Sequence, residues 1–270
     1  MSESAAPENL PEEVSKGKNF RTIDRSLIKQ VAAEEFRSEY SLKVNVERAR
    51  SKLHQICNAY RGNTRNYAEL RKLIPAQIGE DRQEELRMVG ESLMRYHVST
   101  RERLPFIAAF YQEIFRRLPP IHSVLDLACG MNPAAIGWML LAEPFRYEAH
   151  DVYSDLTDLL NEFFRVFSIN GAAHQSNLLS SFPSSQVDLT LLLKTIPCLE
   201  QIKPSAGAEI LEKITSPFAV VSYPIYSLSG KQKGMREQYE NRFNALISTK
   251  QWEVERLLFD NEMVFLLKHR

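Results

Sequence analysis

The chain has 270 residues, 44% apolar and 25% charged, and its 34 Lys and Arg balance 34 Asp and Glu. That is enough apolar material for a sizeable core in one large domain or two small ones. Its longest apolar runs, such as LTLLLKT and FAVVSYP, fall far short of the roughly 20 residues that span a bilayer, and the polar N-terminus lacks the pattern of a secretory signal. A soluble, cytoplasmic, globular protein is therefore expected, without membrane or metal partners. The three cysteines, Cys57, Cys129 and Cys198, are odd in number and widely spaced; they argue against a disulfide framework or a zinc knuckle and read as reduced, mostly buried thiols.

The first twenty residues, MSESAAPENLPEEVSKGKNF, are polar and aperiodic, which predicts a frayed arm over 1–20. From 21 to 119 apolar residues recur at helical spacing, in DRSLIKQVAAEEF, VERARSKLHQICNAY, YAELRKLI, QEELRMVGESLMRYH and LPFIAAFYQEIFRRL, so this segment reads as an all-helical domain. Between Ser41 and Lys72 eight basic side chains face only two acidic ones, Glu47 and Glu69. Such a surplus suits a phosphate backbone, although a solvated helix face would look the same.

After residue 120 strand-like and helical patterns alternate. Strands are expected at SVLDLAC, RYEAHDV, VDLTLLLK and FAVVSYP, and helices at AAIGWMLL, SDLTDLLNEFFRVFSI and AGAEILEKI; this is the pattern of a doubly wound parallel sheet. QWEVERLLFD and EMVFLLKHR, separated by Asp260 and Asn261, predict a terminal antiparallel hairpin on the sheet edge. The fold class is therefore α/β, a Rossmann-like class I methyltransferase domain over 120–270 behind the helical domain.

The stretch VLDLACGMNP holds the first chemical signal. A dinucleotide site needs three glycines to close on a pyrophosphate, whereas here only Gly130 is present. S-adenosylmethionine has no phosphate, so one glycine suffices, with Asp126 at the strand end near its sulfonium and amino group. Asp151, ending the next strand in EAHDVY, stands where an acid would hydrogen-bond ribose hydroxyls. A plain strand-to-helix turn capped by Asp126 is the alternative.

Longer stretches carry a resemblance. HVSTRERLPFIAAFYQEIFRRLP (97–119), LTLLLKTIPCLE (189–200), VVSYPIYSLSGKQKGMREQYENRF (220–243), DLACGMNP and VERARSKLHQICNAY together resemble the aminoglycoside-resistance 16S ribosomal RNA methyltransferases that modify N7 of guanine 1405, from about residue 20 to the end. The resemblance implies a helical domain that docks on 16S rRNA in the assembled 30S subunit, a monomer using S-adenosyl-L-methionine, and these roles: Arg103 pairing with the cofactor's methionine carboxylate, Gly130 under the methionine portion, and Asp151 on the ribose. Asn177 stands where the family usually has an aspartate for the adenine amino group, and its amide oxygen can still accept that bond. The family's basic-residue motif reads YPIYSL here, with Ile225 and Tyr226 replacing a hydroxyl and a basic side chain.

Guanine N7 has a lone pair and no proton, so alignment rather than base catalysis is the enzyme's task. Glu200 is a candidate for stabilising charge that develops on the base, or an ordinary helix-start carboxylate. Lys194 is a candidate to line the target pocket or touch RNA phosphate, or a lysine snorkelling off the sheet. Arg48, Arg50, Lys52, Arg65 and Lys72 are expected phosphate contacts, joined by Lys231 and Lys233, with Met235 against an extruded base. Two other functions fit less well: a methyltransferase of another RNA or a small molecule, which would not use the basic segment, and a noncatalytic ribosome-binding protein, which would not bind the cofactor.

Overall fold

The computed structural model describes residues 6–57, 67–225, 235–248 and 252–270, the side chains of Met235 and Arg236 excepted. Its centre is a seven-stranded sheet of order β3-β2-β1-β4-β5-β7-β6. The strands are β1 (Ser123–Leu127), β2 (Arg146–Asp151), β3 (Gly171–Gln175), β4 (Leu189–Leu193), β5 (Phe218–Pro224), β6 (Trp252–Leu258) and β7 (Glu262–His269). The first five run parallel, while β7 lies antiparallel to both β5 and β6. The near-continuous apolar runs of β4 and β5, LTLLL and FAVVSYP, follow from burial on both faces of a parallel sheet. All four expected parallel strands and the hairpin form. β3 was not anticipated, because GAAHQ lies at the sheet edge with His174 and Gln175 exposed and carries no β-branched or aromatic run.

Eight residues upstream of β1 lies the last of the N-terminal helices: α1 (Leu10–Ser15), α2 (Arg25–Glu35), α3 (Leu42–Cys57), α4 (Arg82–Met94), α5 (Val98–Arg103) and α6 (Ile107–Phe115), with a 3-10 helix at Tyr67–Leu73. Asp24 caps α2 by accepting from the amides of Ser26 and Leu27, and Asp81 caps α4 through Glu84. The frayed arm expected over 1–20 is corrected from Leu10 onward. Leu10 and Val14 are wholly buried, and Arg50 ties α1 down by donating from Nε to the carbonyl of Val14 (3.1 Å) and from Nη2 to that of Glu13 (2.6 Å). Two apolar residues one helical turn apart suffice to dock so short a helix when a neighbour supplies the groove.

The sheet is wrapped by α7 (Ser154–Val166), α8 (Ile196–Leu199), α9 (Ala206–Lys213) and α10 (Met235–Ile247). The helix expected at AAIGWMLL is instead a 3-10 turn at Asn132–Trp138. α4 crosses it closely enough that a Cβ on Gly90 would meet the Ala134 carbonyl oxygen at 2.2 Å, and Arg87 and Gln83 donate to the Gly137 carbonyl (2.8 and 3.1 Å). One contiguous apolar cluster runs from Leu10 through the N-terminal helices to Val264 on β7, so the helical segment and the sheet share a core. Among the described residues no helix is long and apolar enough to cross a membrane.

Candidate cofactor and target site

The carboxyl ends of β1, β2, β3 and β4 open on one cleft with an empty volume of about 890 Å3, roofed by Leu27 of α2, Ile56 and Cys57 of α3, and His97 to Arg103 around α5. Parallel strands leave such a crevice where the order of connections reverses, here between β1 and β4. Arg103, Gly130, Asp151, Asn177 and Lys194 all line it. All three cysteines line it as well.

The loop leaving β1 is strained: Ala128 and Gly130 both take left-handed φ, 50° and 51°. A left-handed alanine costs roughly 1–2 kcal/mol, and outliers of this kind gather at functional sites. At Gly130 a Cβ would sit 2.6 Å from Cε1 of His97, so the glycine lets the roof close on the loop. Gly130 N–H donates to Asp151 Oδ2 (2.9 Å), and Tyr153 N–H reaches Oδ1 (3.3 Å). Burial pushes the Asp151 carboxyl above its ordinary value, against the pull of these amides. Free lone pairs on both oxygens remain for hydroxyl donors.

Arg103 is the hub of the opposite end. It is 1% exposed and forms a two-pronged pair with Glu262, Nε to Oε2 at 3.1 Å and Nη2 to Oε1 at 2.7 Å, while Nη1 donates to Asn132 Oδ1 (2.9 Å). The guanidinium is also hydrogen-bonded to the Tyr111 side chain and forms part of the cleft wall, and a guanidinium is the group best shaped to take a carboxylate. Lys194 is also buried, with left-handed φ of 58°. Its ammonium reaches Glu102 (2.9 Å) and Glu262 (3.6 Å), so it neither snorkels nor stands free for phosphate. Burial alone would raise the Glu262 carboxyl, but Arg103 and Lys194 hold it below its ordinary value.

Two expected placements are corrected. Asp126 does not line the cleft; it lies beneath it, 1% exposed, accepting from Asn132 Nδ2 (2.9 Å) and the Tyr147 hydroxyl (2.7 Å) on Oδ2, and burial pushes its pKa up to about 7. It orients Asn132, which in turn holds Arg103. Glu200 does not line the cleft either; its carboxylate pairs with Arg242 of α10 (3.0 Å) behind α8, because only Cys198 and Leu199 of that short helix turn inward. Asn177 lines the cleft, but its Oδ1 accepts from Leu179 N–H (3.1 Å) and its Nδ2 donates to Ser26 Oγ (3.2 Å) and Gln30 Oε1 (3.4 Å) of α2.

Of the expected phosphate contacts, Lys72 is exposed and Lys52 half-buried. Arg48 is held by Glu35 (3.0 Å) and Arg50 is spent on α1. Arg65, Lys231, Lys233 and Tyr226 lie outside the described residues, as does the side chain of Met235. His54 is exposed, whereas His97 forms part of the cleft wall. Sequence reasoning missed Glu262, Glu102 and Asn132. The first opens β7 just after the hairpin turn, where an acid raises no expectation, and only the Asn132 side of the ACGMNP loop stood near a recognised motif.

A Rossmann-like sheet with a terminal antiparallel pair, holding a single-glycine loop and an acidic second strand end over one cleft, defines a class I methyltransferase. A family model described as "Ribosomal RNA methyltransferase (FmrO)" matches residues 16–266, and the chain belongs to that family. It is 32% identical over 98% of its length to a 16S rRNA (guanine(1405)-N(7))-methyltransferase of Micromonospora echinospora, of which it covers 99%. A protein of the same name from Frankia casuarinae is 30% identical, with 99% of this chain and 95% of that one covered. Among solved structures, the 16S rRNA methyltransferase RmtF in complex with S-adenosyl-L-homocysteine superposes with a TM-score of 0.83 at 25% identity, with both chains covered in full. The 16S rRNA methylase RmtB gives a TM-score of 0.78 at 24% identity, over 98% of this chain and all of the other.

Proposed function

We propose that this chain methylates N7 of guanine 1405 in 16S rRNA within the 30S subunit, using S-adenosyl-L-methionine, and so confers aminoglycoside resistance in the cytoplasm. One observation carries the reading: the cleft pairs a buried arginine at one end with an acid-lined, single-glycine loop at the other, and family membership supports the substrate. The residues fit the cofactor. Arg103 would take its carboxylate, the uncovered backbone at Gly130 its methionine arm, Asp151 its ribose hydroxyls, and the edge around Asn177 its adenine. When bound, S-adenosyl-L-methionine supplies a sulfonium methyl group.

What the protein must add is alignment. The target nitrogen needs no deprotonation, being an acceptor on the major-groove edge of guanine, so no general base is required. Buried Arg103, Lys194 and Glu262, with the partly exposed Glu102, form a compensated set of two cations and two anions that keeps the methionine end rigid, and a rigid site holds reacting atoms in line. Residues 21–119 serve as the docking unit, extended back to α1, with Lys52, Lys72, Arg65, Lys231 and Lys233 as phosphate contacts and Met235 beside the target base. Residues 120–270 carry the chemistry. The protein acts as a monomer.

A methyl-transfer assay on intact 30S particles and on naked 16S RNA, followed by mass spectrometry of the rRNA, tests the reading. N7-methylguanine at position 1405, formed on 30S particles, is the expected result. Unmodified rRNA in the presence of cofactor-bound protein would overturn it.

A further inference from the structure

At the nucleoside end of the cleft, three side chains outside the sites described so far form a chain. Ser176, just past β3, lines the cleft, and its Oγ lies 3.0 Å from Nδ1 of His150. Nε2 of His150 lies 2.8 Å from Oε1 of Glu148, whose other oxygen accepts from Ser185 Oγ (2.6 Å). A carboxylate can only accept, so the imidazole proton must sit on Nε2. In the neutral ring Nδ1 is then an acceptor, so the Ser176 hydroxyl donates to it. The serine's proton is thereby spent, and only its lone pairs face the cleft.

The position of this acceptor matters because Asn177, the neighbouring edge residue, has its amide nitrogen turned to α2 and its oxygen shared with Leu179. In the sheet order, β3 lies two strands from β1 and three from β4, and so farthest from Arg103 and Lys194. Leu27 and Leu178 supply apolar walls beside it. Resting on the cofactor reading above, we infer that Ser176, polarised by His150 and Glu148, is the acceptor that reads the exocyclic amino group of the adenine ring. The titratable groups facing His150 are Glu148 on its own strand and His174 on β3, whose ring centroid is 5.2 Å away. Burial lowers the His150 pKa, opposed by Glu148, which keeps the ring neutral at neutral pH. Acidification would protonate Nδ1, which then donates to Ser176 and turns the hydroxyl proton toward the cleft.

Calorimetric titration of the full chain with S-adenosylhomocysteine and with its inosyl counterpart, which carries a carbonyl in place of the amino group, tests this. The unaltered protein should prefer the adenosyl ligand by roughly tenfold at neutral pH, and the preference should shrink in mild acid. The ratio cancels the titration of Asp151, whose proposed ribose contact is common to both ligands. Ser176→Ala should bring the two affinities together and make their ratio independent of pH. His150→Phe should narrow the ratio while retaining adenosyl binding, which reports a folded cleft. A ratio unchanged in Ser176→Ala would overturn the inference while leaving the cofactor reading intact. Absence of any adenosyl binding by the unaltered chain would remove both.

Discussion

The two ends of the cleft are built on opposite electrostatic plans. At the Arg103 end, full charges cancel one another: Arg103, Lys194 and Glu262 are all buried, and the partly exposed Glu102 completes the set. At the Asp151 end, one carboxylate is held by backbone amides, a second, Glu148, lies behind His150, and Asn177 makes two neutral hydrogen bonds to α2. A compensated ionic cluster is stiff but unforgiving, since losing one member strands its partners in a dry site. A neutral network gives way more gently. On the proposed function the first end fixes position and the second tunes selectivity, while the Asn177 bonds to α2 join the helical segment to the sheet.

The sharpest way to break this contrast is Glu262→Ala, which leaves both Arg103 and Lys194 without their shared anion. A loss of roughly 3–5 kcal/mol of stability is expected from denaturant unfolding, whereas Asn177→Ala at the other end should cost only about 1 kcal/mol. Equal costs would abolish the distinction. Next in size is Gly130→Ala, which forces a Cβ against the His97 ring at a left-handed φ. It should lower S-adenosylhomocysteine affinity by more than tenfold by calorimetry, and a second change, His97→Ala, should recover the steric part.

A pH profile sharpens the comparison further. Asp126 lies beneath the ionic end with a folded pKa raised by burial to about 7, so between its unfolded value near 4 and about 7 the native state binds the proton more tightly. Stability should therefore fall as pH rises through that window, and Asp126→Asn should flatten the slope in urea titrations. The smallest effects are expected on the surface. Lys72→Ala should weaken 30S binding modestly and reduce its salt dependence by about one unit of slope, while Arg50→Ala should act through loss of α1 docking and be visible as lowered stability at unchanged salt slope.

The sequence by itself determined the alternating strand and helix order after residue 120, the terminal hairpin, the helical segment before it, and the identity of four cleft residues beyond dispute of position: Arg103, Gly130, Asp151 and Asn177. The elements, Gly130 and Asp151 are legible because apolar periodicity and strand-end acids are local signals, whereas Arg103 and Asn177 followed from the family resemblance. Only the tertiary structure decided the rest. It paired Arg103 with Glu262 across 159 residues, turned Glu200 toward Arg242, sank Asp126 below the floor, bound Arg50 to α1, and set Ser176 against His150. Each of those outcomes depends on which partner the folded core brings within about 3 Å, and a distance of that kind has no counterpart in the spacing of residues along one chain.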